Sequence, residues 1–110
     1  MPRKSYQIIV YGKFAPLDDD QRAKLLAVAD KHDLFQSKFT EEGTVTYERT
    51  LLTFTFRCVV KADAEDKIDE VVAGAEELAT AAVRDLGADV RDLRSVCTDL
   101  ETIKIKRRGR

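Results

Sequence analysis

Apolar and polar residues alternate with a period of two in Tyr6–Phe14 (YQIIVYGKF), Thr44–Glu48 (TVTYE), Leu51–Val60 (LLTFTFRCVV) and Asp92–Thr98 (DLRSVCT). Residues i and i+2 of a strand share one face, so each stretch reads as a strand. The last has the weakest pattern. Leu51–Val60 is the most informative, because its two faces differ. Leu52, Phe54, Phe56, Cys58 and Val60 lie on one side, Leu51, Thr53, Thr55, Arg57 and Val59 on the other. The first face is expected to meet the core and the second to look outward. Only Arg49-Thr50 separates this stretch from Thr44–Glu48, so the two are expected to form a hairpin.

Two segments follow the helical period instead. Asp18-Asp19-Asp20-Gln21 places a capping acid three residues before a glutamine and adds acids near the positive end of the helix dipole. Leu25, Leu26 and Ala29 form the apolar stripe of this helix, which is expected to end near His32-Asp33. Asp63-Ala64-Glu65-Asp66 reads as a second acidic start. Ile68, Val71, Val72, Ala75, Leu78, Ala79, Ala82, Val83 and Leu86 then follow the i, i+3, i+4, i+7 spacing up to Gly87, a helix-closing residue. Such a helix spans roughly 35 Å, as does a ten-residue strand. Between the first helix and Gly43, residues 34–42 read as a connection held by Phe35 and Phe39.

Strand, helix, two strands, helix, strand with right-handed crossovers predicts one α+β domain over residues 1–110. The arrangement is the ferredoxin-like split β-α-β-β-α-β, a four-stranded antiparallel sheet of order 4-1-3-2 with two helices on one face. Cys58 and Cys97 then fall on strands separated by the first, about 9 to 10 Å apart, beyond the reach of a disulfide. Ile103-Lys104-Ile105 is a candidate short strand before the basic tail, residues 104–110.

Composition narrows the function classes. Nineteen basic and twenty acidic side chains nearly cancel, so there is no global field toward nucleic acid or an anionic membrane. No apolar run reaches the roughly 18 to 20 residues of a membrane span, and the first residues lack a signal-peptide pattern. With two cysteines and no CxxC, the expected location is the cytoplasm. The five glycines, at 12, 43, 74, 87 and 109, stand singly and build no phosphate loop. His32 is expected at a helix end on the surface, without a second histidine or a nucleophile to serve. No catalytic residue, metal ligand or cofactor is assigned.

What remains is the sheet face left uncovered by the helices, with Ile9, Tyr11, Thr53, Thr55, Arg57 and Val59 on it and Thr44 and Thr46 at its edge; Tyr11, Thr53, Thr55, Arg57 and Arg94 are the ligand or interface candidates. A half-apolar exposed face often marks a partner surface. The leading expectation is a non-enzymatic homodimeric binding or structural module. A small-molecule binding protein or enzyme of the dimeric α/β-barrel kind is the alternative, with a pocket between sheet and helices bordered by Tyr11, Arg57 and Arg94. A third is nucleic-acid binding through the basic tail, which the charge balance makes the weakest.

FTEEGTVTYERTLLTFTFRC (39–58), TDLETIKI (98–105), the strand ending GKF and the following LDDDQRAKLL together resemble a family of short uncharacterised proteins from Streptomyces and related actinobacteria. The resemblance covers nearly the whole chain. It implies a bacterial cytosolic protein and carries over no catalytic or binding residue.

Overall fold

The computed structural model describes residues 3–33, 37–63 and 67–99. Strand β1 (Arg3–Phe14) leads to helix α1 (Asp19–Ala27), followed by a 3-10 turn at Ala29–His32. Strands β2 (Thr44–Tyr47) and β3 (Thr53–Asp63) form the hairpin, helix α2 (Ile68–Asp85) follows, and β4 (Val90–Asp99) ends the described chain. The sheet is fully antiparallel with order β2-β3-β1-β4, the predicted order read from the other edge.

The register shows which side is the core. Val45, Phe56, Val10 and Ser95 form one row across all four strands, and Tyr47, Phe54 and Gly12 form the next. Phe56 and Val10 are fully buried. Both helices sit on this side, since the Tyr47 hydroxyl donates to the Leu25 carbonyl of α1 at 2.6 Å and the Ser95 hydroxyl meets Glu76 Oε2 of α2 at 2.6 Å. Alanines 75 and 79 on α2 have no exposed surface, so small side chains bring the helix close to the strands. Phe14 completes the core, edge-on to Tyr47 at 5.6 Å and tilted against Phe54 at 5.4 Å.

Capping at α1 follows the sequence pattern. The Asp18 carboxylate accepts from Gln21 N at 2.8 Å, and Gln21 Oε1 accepts from Asp18 N at 2.9 Å. Gln21 does more than the pattern implies, because its Nε2 also donates to the Gly87 carbonyl at 3.0 Å. One side chain thereby joins the start of α1 to the end of α2. Gly87 closes α2 with φ of +92°.

Three expectations are corrected. First, Asp63 does not start the second helix: it pairs with Arg3 at the end of β3, and α2 begins at Ile68 behind Lys67, which makes no side-chain cap bond. Buried Ala62 extends the β1–β3 ladder this far, and backbone pairing there outweighs the local helix-start signal. The 18-residue helix is therefore about 27 Å long, shorter than β3, and Ile68 is exposed. Second, Leu51 and Leu52 exchange roles. Leu51 adopts φ of +57° in the loop before β3, which buries it (5% exposed) and turns Leu52 outward (70% exposed). Strand parity does not extend into a left-handed turn. Third, Leu26 of the α1 stripe is exposed, and the helix gives way after Ala27 to the 3-10 turn. Phe35, residues 64–66 and Ile103–Ile105 lie outside the described residues, so the expectations placed on them do too.

A β-bulge breaks the β1–β4 pairing. Tyr11 pairs with Arg94 and Lys13 with Arg91, so Gly12 alone stands opposite two residues of β4, Asp92 and Leu93, and Asp92 takes φ of +54°. Gly12 is also closely approached: a Cβ there would run into the Phe54 ring and lie 2.8 Å from Leu93. Both meanings of a glycine inside a strand, bulge and close contact, hold at this position.

Two stability outcomes follow. Gly12→Ala is expected to cost about 1–3 kcal/mol by overpacking against Phe54, and Gln21→Ala about 1 kcal/mol by removing half of the capping box and the tie to Gly87. Urea midpoints at fixed slope measure both, and wild-type midpoints would refute the packing and capping assignments respectively.

Candidate functional site

The face away from the helices is ordered by the same register. Thr46, Thr55, Tyr11 and Arg94 form one row across the sheet, and Thr44, Arg57, Ile9 and Val96 the adjacent row. On the other side lie Thr53, Lys13 and Arg91. All five sequence candidates, Tyr11, Thr53, Thr55, Arg57 and Arg94, thus come together on one face. Because this face is opposite the helices, Tyr11, Arg57 and Arg94 do not border a pocket between sheet and helices. That space is filled by the packed side chains of Phe54, Phe56 and their neighbours.

Two shallow clefts meet at Thr53 and Thr55. The larger, about 360 Å³, lies between Tyr11, Lys13, Thr53, Thr55, Asp92 and Arg94, and the smaller, about 210 Å³, between Thr46, Glu48, Thr53, Thr55 and Arg57. Gly12 and Phe54 turn their side positions toward the core, so they line the larger cleft with backbone.

The charged groups are held rather than free to sweep. Arg94 lies over the Tyr11 ring with its guanidinium carbon 5.2 Å from the centroid, a cation–π arrangement. Arg57 Nη1 donates to Thr46 Oγ1 at 3.1 Å across the β2–β3 hairpin. This explains why Thr46, on an uncovered face, is only 5% exposed. Lys13 pairs loosely with Asp92 at 3.8 Å. Among the described residues, no carboxylate stands within ion-pair distance of Arg57 or Arg94.

Sequence reasoning missed Lys13, Arg91 and Asp92. Plain alternation directs Arg91 to the helix side, but the bulge brings it into register with Lys13. The single glycine at position 12 was the available signal. Missed too was His32, which is half-buried: its Nδ1 donates to the Val45 carbonyl at 2.9 Å and its ring stacks on Tyr47 at 5.5 Å. A carbonyl only accepts, so Nδ1 carries the proton. The residue pins the 3-10 turn to β2 and is not the plain surface histidine expected at a helix end.

The thiols are placed for packing. Cys58, Ile8 and Cys97 share a row on the core side, with Ile8 between two free cysteines. Burial pushes the Cys58 thiol up from its ordinary 9.0, with Cys97 adding to it, while burial and then the charge of Asp99 push up Cys97. Thiolates are the reactive form, so neither is prepared as a nucleophile. Burial also raises the Tyr47 phenol from 10.0, partly offset by Arg49. No group of three His, Cys, Asp or Glu among the described residues is arranged to hold a metal ion, and no described helix is long and apolar enough to cross a membrane. The basic tail, residues 104–110, lies outside the described residues.

The raised values set a pH dependence. Each acid keeps its proton in the folded state at a pH where the unfolded chain releases it, so its contribution is complete below the unfolded pKa and is lost as pH rises. Urea midpoints are expected to be steady between about pH 7 and 8 and to fall above about pH 9. Cys58→Ala is expected to lessen that slope. An unchanged slope in Cys58→Ala would show that Cys58 does not carry it.

Compared with models of protein families, residues 1–110 match a family of unknown function (DUF6204). No curated protein and no solved structure matches the chain.

Proposed function

The chain belongs to this family of unknown function, and we propose that it is a non-enzymatic homodimeric binding module whose open sheet face receives a second copy. In this reading the fold is the ferredoxin-like arrangement, supported by the β-α-β-β-α-β element order and the sheet order β2-β3-β1-β4. Two free cysteines and no described membrane-crossing helix support a cytoplasmic setting. The resemblance of segments 39–58 and 98–105 supports a bacterial, actinobacterial source.

The observation that carries the dimer is the apolar content of a face that no element of the described chain covers. Ile9 and Val59 are half-buried, and Val96 beside them is 48% exposed. Strands 10–12 residues long at 4.8 Å spacing, with the short β2, present about 550 Å². Two such faces bury about 1,100 Å² in total, near the lower limit for a stable specific interface. A dimer of modest affinity is the expectation. Sheets packing face to face do so about 10 Å apart, which encloses the two clefts between the copies.

Val96→Arg adds a charge to a basic surface without touching the core. It is expected to leave the melting temperature of the monomer unchanged and to weaken dimerisation at least about 100-fold. Phe56→Asp instead places a charge against the helices and is expected to unfold the domain. Sedimentation velocity at tens of micromolar decides the matter: a wild-type protein that is monomeric throughout overturns the dimer.

A further inference from the structure

The open face carries an imbalance of charge that the chain as a whole does not. The full sequence has a formal net charge of −1. Among the described residues, however, the two clefts are lined by the cations Lys13, Arg57 and Arg94 against the acids Asp92 and, at the β2 rim, Glu48, and Arg91 stands in register with Lys13 beside them. Asp92 is engaged with Lys13, and neither Arg57 nor Arg94 has a carboxylate partner among the described residues. Their other contacts, a hydroxyl and an aromatic face, orient the guanidinium groups without neutralising them.

From this we infer that the clefts form a binding site for a small planar aromatic carboxylate. Arginine presents paired N–H donors that match a carboxylate in a two-pronged arrangement, and the cation–π contact with Tyr11 keeps the Arg94 guanidinium over the cleft. Tyr11, Thr53 and Thr55 add hydroxyls at the cleft edges, while threonine methyls and the backbone of Gly12 and Phe54 offer a flat floor for a ring. A combined volume of a few hundred cubic ångströms is the size of a small-ligand site. The bulge belongs to this construction. It brings Arg91 to the same side as Lys13, and left-handed Asp92 lies within loose ion-pair distance of Lys13 at the mouth.

The inference deepens the dimer reading and rests on it for closure of the site. Stacking two copies face to face brings the guanidinium groups of Arg57, Arg91 and Arg94 from each copy, six in all, between two sheets, where lost hydration is costly unless an anion compensates. A bound carboxylate supplies that charge, so ligand and partner favour each other by linkage. The anion would then strengthen a dimer that already forms without it but whose area is marginal.

The test uses the full chain with 2-naphthoate as the probe, 2-naphthamide as its uncharged counterpart and acetate as the ring-free anion. Titration calorimetry is expected to show 2-naphthoate binding at least tenfold tighter than either control. R57M and R94M are each expected to weaken it at least tenfold while keeping wild-type circular dichroism and melting temperature. Amide chemical-shift changes should centre on Tyr11, Thr53 and Thr55. Equal binding of the amide, undiminished binding in both variants, or shift changes confined to another surface would each overturn the site. Sedimentation with and without the probe reports separately on the partner. A dimer that strengthens with 2-naphthoate supports the linkage, and a dimer unaffected by the probe overturns it. Binding by a protein that stays monomeric overturns the dimer reading and leaves the carboxylate site standing.

Discussion

Everything in this domain depends on the two-sidedness of β3. Flanked by β2 and β1, it sends Phe54, Phe56 and Cys58 into the core and Thr55 and Arg57 to the opposite surface. Strand pairing fixes the position of its backbone, and alternation fixes the side of each residue. A slip of one residue would bury Arg57 and expose two phenylalanines. The helices, the aromatic cluster around Phe14 and the clefts on the far side all take their places from this register.

The second determinant is the irregularity where β1 meets β4. A regular ladder would continue the alternation through Arg91. Instead one glycine stands against two residues, Asp92 is held in a left-handed conformation, and a cluster of cations gathers on one surface. A left-handed non-glycine residue costs some free energy and persists because both flanking stretches remain paired. At this point packing and charge meet: the glycine that makes room for the Phe54 ring on one side also marks the edge of the larger cleft on the other.

Polar contacts outside the sheet hold the parts together. Gln21 links the ends of the two helices, His32 and Tyr47 tie the first helical segment to β2, and Ser95 meets Glu76 between β4 and α2. These contacts join residues 13 to 66 positions apart in the chain, and each is made by a single side chain. They orient the covering layer, so that one sheet face is closed and the other is left uncovered among the described residues.

What the amino-acid sequence determined by itself was whatever depends on period and on local hydrogen bonding. Two-residue alternation identified the strands and the inward side of β3, the 3.6-residue spacing identified the body of α2, and Asp18 with Gln21 identified the start of α1. The connectivity rules then yielded the sheet order and the outward placement of Tyr11, Thr53, Thr55 and Arg57. Only the tertiary structure decided where local preference met longer-range pairing. The β1–β3 ladder kept Asp63 as strand, a left-handed turn exchanged Leu51 with Leu52, and the bulge turned Arg91 outward. In each case a partner distant in sequence, or a backbone angle that no composition pattern encodes, contributed more than the local signal. The physical reason is that periodicity reports which face a residue prefers, whereas register and strand ends are set by the neighbouring strand.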